Sequence, residues 1–229
     1  MSDGVYLMVV SPHPDDCEFG ISGTAARLIK EGKEVVYVIC TNGDKGTEDR
    51  SLTPEKLAAI REEEELEAAK ILGVKETVFL RYPDQELEDS NEFRRDLCRE
   101  IRQFKPQVVA TTDPNRKYVW HRDHRMCGIV TMDAAFPYSR GLFTYPELMK
   151  EGLEPHKVRE MWFWGSEDVN FRQDISSTID LKFQALSCHK TQFRFNDEMR
   201  NRMKDFARLN AKGESFEFAE AFHRIELRP

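Results

Sequence analysis

The sequence predicts a Rossmann-like, doubly wound α/β fold, with a mostly parallel sheet flanked by helices in one domain over residues 1–229. Three observations carry that expectation. Short apolar runs rich in β-branched residues recur at 5–10, 35–40, 77–80 and 107–112. Segments with helical spacing separate them, and strand–helix alternation at this pace is the pattern of a parallel sheet. The run 35–40 is apolar without interruption, which suits a strand buried on both faces.

After the first strand, Ile21, Ala25, Leu28 and Ile29 fall at helical spacing, and Gly32 supplies a stop signal. Gly20 and Gly23 allow this helix to pack closely. Residues 41–50 form a polar, glycine-containing loop. Thr53 and Pro54 read as the N-cap and first residue of a helix ending near Leu72-Gly73. Its Leu57, Ile60, Ala68 and Ile71 are expected to face the core, with a charged stretch at 61–65. A helix over 91–104 places Phe93, Leu97, Ile101 and Phe104 on one stripe, and Pro106 leads into the strand at 107–112. A helix over 123–138, strands at 160–165 and 171–175, and helices over 178–189 and 195–212 complete the pattern. Residues 139–158 read as a long loop on the active-site side.

The chain has 229 residues, enough for one well-cored domain. Its 34 basic and 41 acidic residues leave a net charge of −7, so no nucleic-acid surface is expected. The amino terminus lacks a secretory pattern, and no apolar run approaches the roughly 20 residues of a membrane span. Five scattered cysteines without C-x-x-C spacing point to reduced thiols and a cytoplasmic protein.

Chemistry concentrates in two clusters. His13-Pro14-Asp15-Asp16 follows the first strand, and His121-Arg122-Asp123-His124 follows the fourth. Ligands of an α/β sheet gather at the carboxyl ends of its strands. Imidazole and carboxylate donors suit a catalytic zinc with an open position, although other divalent transition metals remain compatible. His13 and Asp16 can turn towards one metal, His124 can add the third ligand, and Asp15 is left beside the open position. Taken singly, an Asp-Asp pair reads equally well as a helix cap. Asp44 and Arg61 are weaker candidates for substrate contact, Arg61 reading equally as an exposed charge paired with Glu65. His189 either lines the cleft or caps a helix. Trp120, Trp162 and Trp164 offer aromatic stacking faces, the last two alternating as core strand residues do.

These clusters, in order with Thr41-Asn42-Gly43-Asp44-Lys45-Gly46, Arg61-Glu62-x-Glu64 and Ala185-Leu186-x-x-His189-x-x-Gln192, resemble the LmbE/PIG-L family of zinc-dependent de-N-acetylases. The resemblance spans residues 5 to about 192. It implies that His13, Asp16 and His124 bind zinc, that Asp15 is the general base, and that His121 faces the developing oxyanion with Asp123 orienting it. It also implies a small-molecule N-acetyl sugar or conjugate as substrate, and a homo-oligomer. The chain departs from the pattern at Asp44, where many members carry Glu, at Arg122, where many carry Pro, and at Val119, where some place Tyr. The competing class is a magnesium-binding receiver module, which shares an acidic pair after strand one. It needs a phosphoacceptor at the end of strand three, where Asp84 fits poorly, and imidazole donors favour a transition metal. No G-x-G-x-x-G follows the first strand, which disfavours a dinucleotide enzyme.

Overall fold

A computed structural model describes residues 4–118 and 121–228. Val119 and Trp120, the latter a candidate stacking face, lie outside the described residues. Strands β1 (Leu7–Ser11), β2 (Val35–Thr41), β3 (Glu76–Tyr82), β4 (Val108–Thr112), β5 (Glu160–Trp164), β6 (Phe171–Asp174) and β7 (Ala219–Glu226) form one sheet in the order β3-β2-β1-β4-β5-β7-β6. The first five are parallel, and β7 pairs antiparallel with both β5 and β6. The sheet is thus mostly parallel, as expected, with an antiparallel edge formed where β7 enters between β5 and β6. The sequence reading had no element for that last strand, whose His223, Arg224 and Glu226 interrupt its apolar pattern.

Every residue of β1, β2 and β4 is buried, and alternation sorts them onto two faces. Met8, Val10, Val36, Val38 and Val109 pack with Phe93, Leu97, Ile101 and Val130 from α4 (Asn91–Phe104) and α5 (Arg122–Ala135). Leu7, Val9, Tyr37, Ile39 and Ala110 pack on the other face with Ile21, Ala25, Leu28, Ala68 and Leu72. Those residues come from the segment joining α1 (Asp16–Gly20) to α2 (Ser22–Lys30), from α2 itself, and from α3 (Pro54–Leu72). The first helical segment therefore breaks at Ile21 into two helices. The α3 cap follows the sequence signal: Thr53 accepts from the Lys56 amide, and Gly73 closes the helix at φ 84°.

Two expectations are corrected. On α3, Ile60 is only half-buried and Ile71 is exposed, whereas Arg61, Glu64 and Glu65 are buried. Leu57 and Ala68 do face inward, but the middle of that face is polar because it meets polar partners: Glu64 accepts from the Thr191 amide and hydroxyl at 2.9 and 2.6 Å. Residues 139–158 are not on the side of the two clusters. Helix α5 carries the chain from the carboxyl edge of the sheet to the amino edge before that segment begins. There His156 Nε2 lies 2.7 Å from the Pro106 carbonyl, and the Arg159 amide donates to Gln107. The segment includes a 3-10 turn at Tyr138–Arg140 and α6 (Pro146–Lys150), tied down by buried Arg102, which donates to the carbonyls of Ser139, Gly141 and Thr144. Helices α7 (Ile179–Leu186) and α8 (Asp197–Asn210) match the later expectations. The five cysteines are buried and free, and no described helix is long and apolar enough to cross a membrane.

The chain turns outward from β1 to β3 on one side and from β4 to β5 on the other, so the crevice between β1 and β4 is the topological switch point where ligands gather. Close approach of α5 to β4 depends on Gly128, where an added Cβ would stand 2.7 Å from the Thr112 carbonyl oxygen. Gly128→Ala gains about 1 kcal/mol of helix propensity but must push α5 off a strand backbone, which typically costs about 1–3 kcal/mol. Urea unfolding of this variant is expected to show net destabilisation; a midpoint at or above the parent's would refute the close-packing account.

Candidate metal centre

β1 ends at Ser11 and the next four residues turn sharply. The Pro12 carbonyl accepts from both the amide and the hydroxyl of Thr41, at 2.9 and 2.8 Å, so the turn is fastened to the end of β2. Asp15 follows as the N-cap of α1 with φ 101°, a conformation that costs a side-chain-bearing residue of order 1–3 kcal/mol. Its amide donates to Glu65 Oε2 at 3.0 Å, and Arg61 Nη2 donates to the adjacent Pro14 carbonyl at 2.5 Å. The strained residue is held from both sides.

The turn points His13 and Asp16 at one another. His13 Nδ1 is 3.0 Å from Asp16 Oδ2, and His124 Nε2, from the first turn of α5, is 3.3 Å from the same oxygen. One donor atom from each of the three lies within 4.8 Å of the others, as a cation site requires. Burial holds the His124 imidazole below its ordinary pKa, in the neutral form that ligates.

Around His13 the structure adds a residue that sequence reasoning had set aside. Asp84, in the loop after β3, is 3% exposed, with Oδ1 3.1 Å from His13 Nε2. Asp123 Oδ2 lies 3.2 Å from the same nitrogen. Burial opposes a charge on His13, yet the hydrogen bonds of Asp123, Asp16 and Asp84 raise it well above the ordinary histidine range. Burial likewise opposes the Asp84 carboxylate, but His13 outweighs it and holds the group at about 2. Three carboxylates around one imidazole make a place that demands positive charge, and the donor set suits a divalent cation. This buried Asp84 does not provide the open phosphoacceptor that a receiver module needs.

Asp123 does not hold His121, as the sequence reading had it. Its two oxygens accept from the amides of Gln85 and Leu87 at 2.6 and 3.1 Å, so it fastens the loop carrying Asp84 to the start of α5. His121, at the N-cap of α5, is exposed and set edge-on to His13, with ring centroids 4.6 Å apart.

Asp15 stands beside the three donors. Burial, reinforced by the neighbouring Asp16 charge, raises its carboxyl to about 7, with Arg61 at 3.4 Å pulling the other way. Arg61 itself is 3% exposed and bridges two loops, donating to Gly43 and Pro14. Its pairing with Glu65 as a surface charge is therefore corrected. Gly43 sits there at φ 62°, a backbone conformation that favours glycine. Asp44 is half-buried and accepts from the Asp84 amide at 3.2 Å.

His189 is corrected as well. It is wholly buried, 3.2 Å from Glu18 Oε2 and 3.9 Å from Glu65 Oε2, beneath Asp15 rather than in the cleft. Burial pushes the Glu18 carboxyl up to about 8, and burial beside Glu18 raises Glu65 too. The spacing of Glu18 and Glu65 on two helices gave no hint that they meet. Trp162 and Trp164 are core residues of the same sheet face.

Comparison with known proteins places these features in company. The sequence profile of the family described as PIG-L, GlcNAc-PI de-N-acetylase, matches residues 8–135, which include both clusters. The diacetylchitobiose deacetylase of Thermococcus kodakarensis is 35% identical, over 82% of this chain and 70% of its own length. The 1D-myo-inositol 2-acetamido-2-deoxy-alpha-D-glucopyranoside deacetylase of Saccharomonospora viridis is 30% identical, over 81% of this chain and 84% of its own. The solved structure of an N,N'-diacetylchitobiose deacetylase from Pyrococcus horikoshii superposes with a TM-score of 0.90 at 32% identity, covering 97% of this chain and 84% of that one.

Because Arg61 satisfies two buried carbonyls, Arg61→Ala is expected to lower the unfolding free energy by about 1–3 kcal/mol. Denaturant unfolding checks this, and a change below ~0.5 kcal/mol would return Arg61 to the surface.

Proposed function

The chain belongs to the GlcNAc-PI de-N-acetylase (PIG-L) family, and we propose that it is a metal-dependent amidohydrolase that removes an acetyl group from the nitrogen of an N-acetyl amino sugar or glycoconjugate. The observation that carries this reading is the convergence of His13, Asp16 and His124 beside an Asp15 that is left free of the donor set. Two imidazoles and one carboxylate suit zinc, which leaves a fourth position open in catalytic sites. Residues 1–229 make one catalytic domain that acts in the cytoplasm on a small N-acetyl sugar or conjugate and assembles as a homo-oligomer.

The chemistry a bound cation supplies is Lewis acidity, towards a water and towards the amide carbonyl. The side chains do the rest. Asp15 takes a proton from the attacking water and delivers it to the departing nitrogen, so the C–N bond breaks to a carboxylate and an amine. His121, exposed at the mouth, donates to the oxygen that gains charge when the carbonyl becomes tetrahedral. Asp123 acts on the scaffold, holding the loop of Asp84 and steadying His13. Asp44 and Arg61 stand on the β2 side, where hydroxyl groups of a sugar find polar partners.

The direct test is amine release from a panel of N-acyl amino sugars by metal-replete protein, abolished by a chelator and restored by zinc or another transition metal. No amine from any member would contradict the reading. For the ligands, elemental analysis of His13→Ala and His124→Ala is expected to show severe loss of bound metal, and full stoichiometric metal in both would reject the assignment. For the base, Asp15→Asn is expected to keep its metal and lose at least about 10²-fold in turnover; near-normal turnover at saturating metal would exclude Asp15.

A further inference from the structure

A cavity of about 590 Å³ opens from the candidate metal centre, and neither Asp15 nor Arg61 is among the residues that line it. Asp16 and His124 are part of its wall, so it is continuous with the reacting centre. Beyond them the wall is apolar: Phe19 from α1, Trp164 at the end of β5, Ile175, Phe183 from α7, and Met199 and Met203 from α8. Gly20 lets α1 lie flat on the Trp164 ring, where an added Cβ would approach to 2.7 Å. Lys182 also lines the space, but its charge is answered within the wall by Glu220 at 2.5 Å and by the Phe19 carbonyl at 2.8 Å. The exposed Arg116 and Arg202 also line it, as do Thr112, Ser166 and Asn210.

The two flanks of the centre therefore differ. Towards β2 and β3 stand Asp44, Arg61 and Asp84; towards β5 and α8 stands an apolar cavity within the size range of small-molecule sites, roughly 300–1,000 Å³. An amide with its carbonyl at the centre extends a nitrogen substituent one way and an acyl substituent the other. The polyhydroxylated sugar needs the polar flank, since burying hydroxyls without partners is costly. The acyl group then enters the cavity, and an acetyl methyl leaves most of it unfilled. We propose that this cavity is an acyl subsite and that the chain hydrolyses N-acyl amino sugars bearing a medium-length alkyl chain. The inference rests on the amidohydrolase reading above. The balanced step is the same hydrolysis: water adds to the carbonyl, the C–N bond breaks, a proton passes to nitrogen, and an alkanoate and an amine leave.

The test compares N-acetyl-, N-hexanoyl- and N-octanoylglucosamine as substrates of metal-replete protein, and measures N-octanoylglucosamine binding by calorimetry. Each methylene buried contributes about fourfold, the equivalent of ~0.8 kcal/mol. The tail is buried equally before and during reaction, so KM is expected to fall by at least tenfold from acetyl to hexanoyl while kcat stays level. Met203 on α8 and Val169, between β5 and β6, line the cavity from two walls; Met203→Trp and Val169→Trp are expected to abolish that gain and leave N-acetylglucosamine turnover unchanged, with parental melting curves. Equal or better KM for the acetyl compound, or an unchanged preference in both variants, would overturn the subsite. So would a tryptophan-sensitive gain for an octyl glycoside of N-acetylglucosamine in place of the N-octanoyl compound, which puts the aglycone in the cavity. If no member is turned over, the amidohydrolase reading fails on its own. Calorimetry then still decides the cavity: tryptophan-sensitive binding of N-octanoylglucosamine upholds it, and no binding overturns it.

Discussion

Three carboxylates close on the imidazole of His13, and the carboxyl edge of the sheet is organised by that demand for positive charge. Asp16 comes from the turn after β1, Asp84 from the loop after β3, and Asp123 from the first turn of α5. Desolvated carboxylates are costly unless a cation answers them. Without that answer, three separate segments would repel one another. With it, they converge within hydrogen-bond distance of one ring, and His124 is brought to the same Asp16 oxygen. The mixed imidazole and carboxylate set is thereby both the fastening of the crevice and its chemistry.

Beneath it lies a second layer of buried polar groups. Glu65 holds the amide of Asp15 in a conformation an aspartate rarely adopts, and Glu65 is packed in turn against Glu18 and His189. Backbone strain of this kind persists only where the surroundings over-determine it. Arg61 supplies the rest of the clamp through Pro14 and Gly43. The side chain of Asp15 is aimed by what grips its backbone.

Much of this was legible in the residues alone, for physical reasons that differ by element. β1 and β2 were plain because strands buried on both faces are apolar throughout. The two histidine clusters were plain because each is local and sits at a strand end. Asp84 was not, since its partner His13 is remote in sequence and only the β2–β3 pairing brings the loop across. The inward face of α3 was legible only at Leu57 and Ala68, because between them Arg61, Glu64 and Glu65 are buried among polar partners and no apolar stripe marks the face. Residues 139–158 were placed on the wrong side because a loop's length says nothing about which edge of the sheet it crosses. The asymmetry between a polar and an apolar flank is a property of strand order, and no single segment announces it.

The central claim is that His13, Asp16 and His124 form one cation site at the β1–β4 switch point. Anomalous X-ray scattering at the zinc edge, from crystals of zinc-loaded protein, tests it most directly. The account predicts a single strong peak per chain, about 2.0–2.2 Å from one nitrogen of His13, one oxygen of Asp16 and one nitrogen of His124. A peak instead among Glu18, Glu65 and His189, which also bring three donors together, or no peak at the switch point, would contradict it.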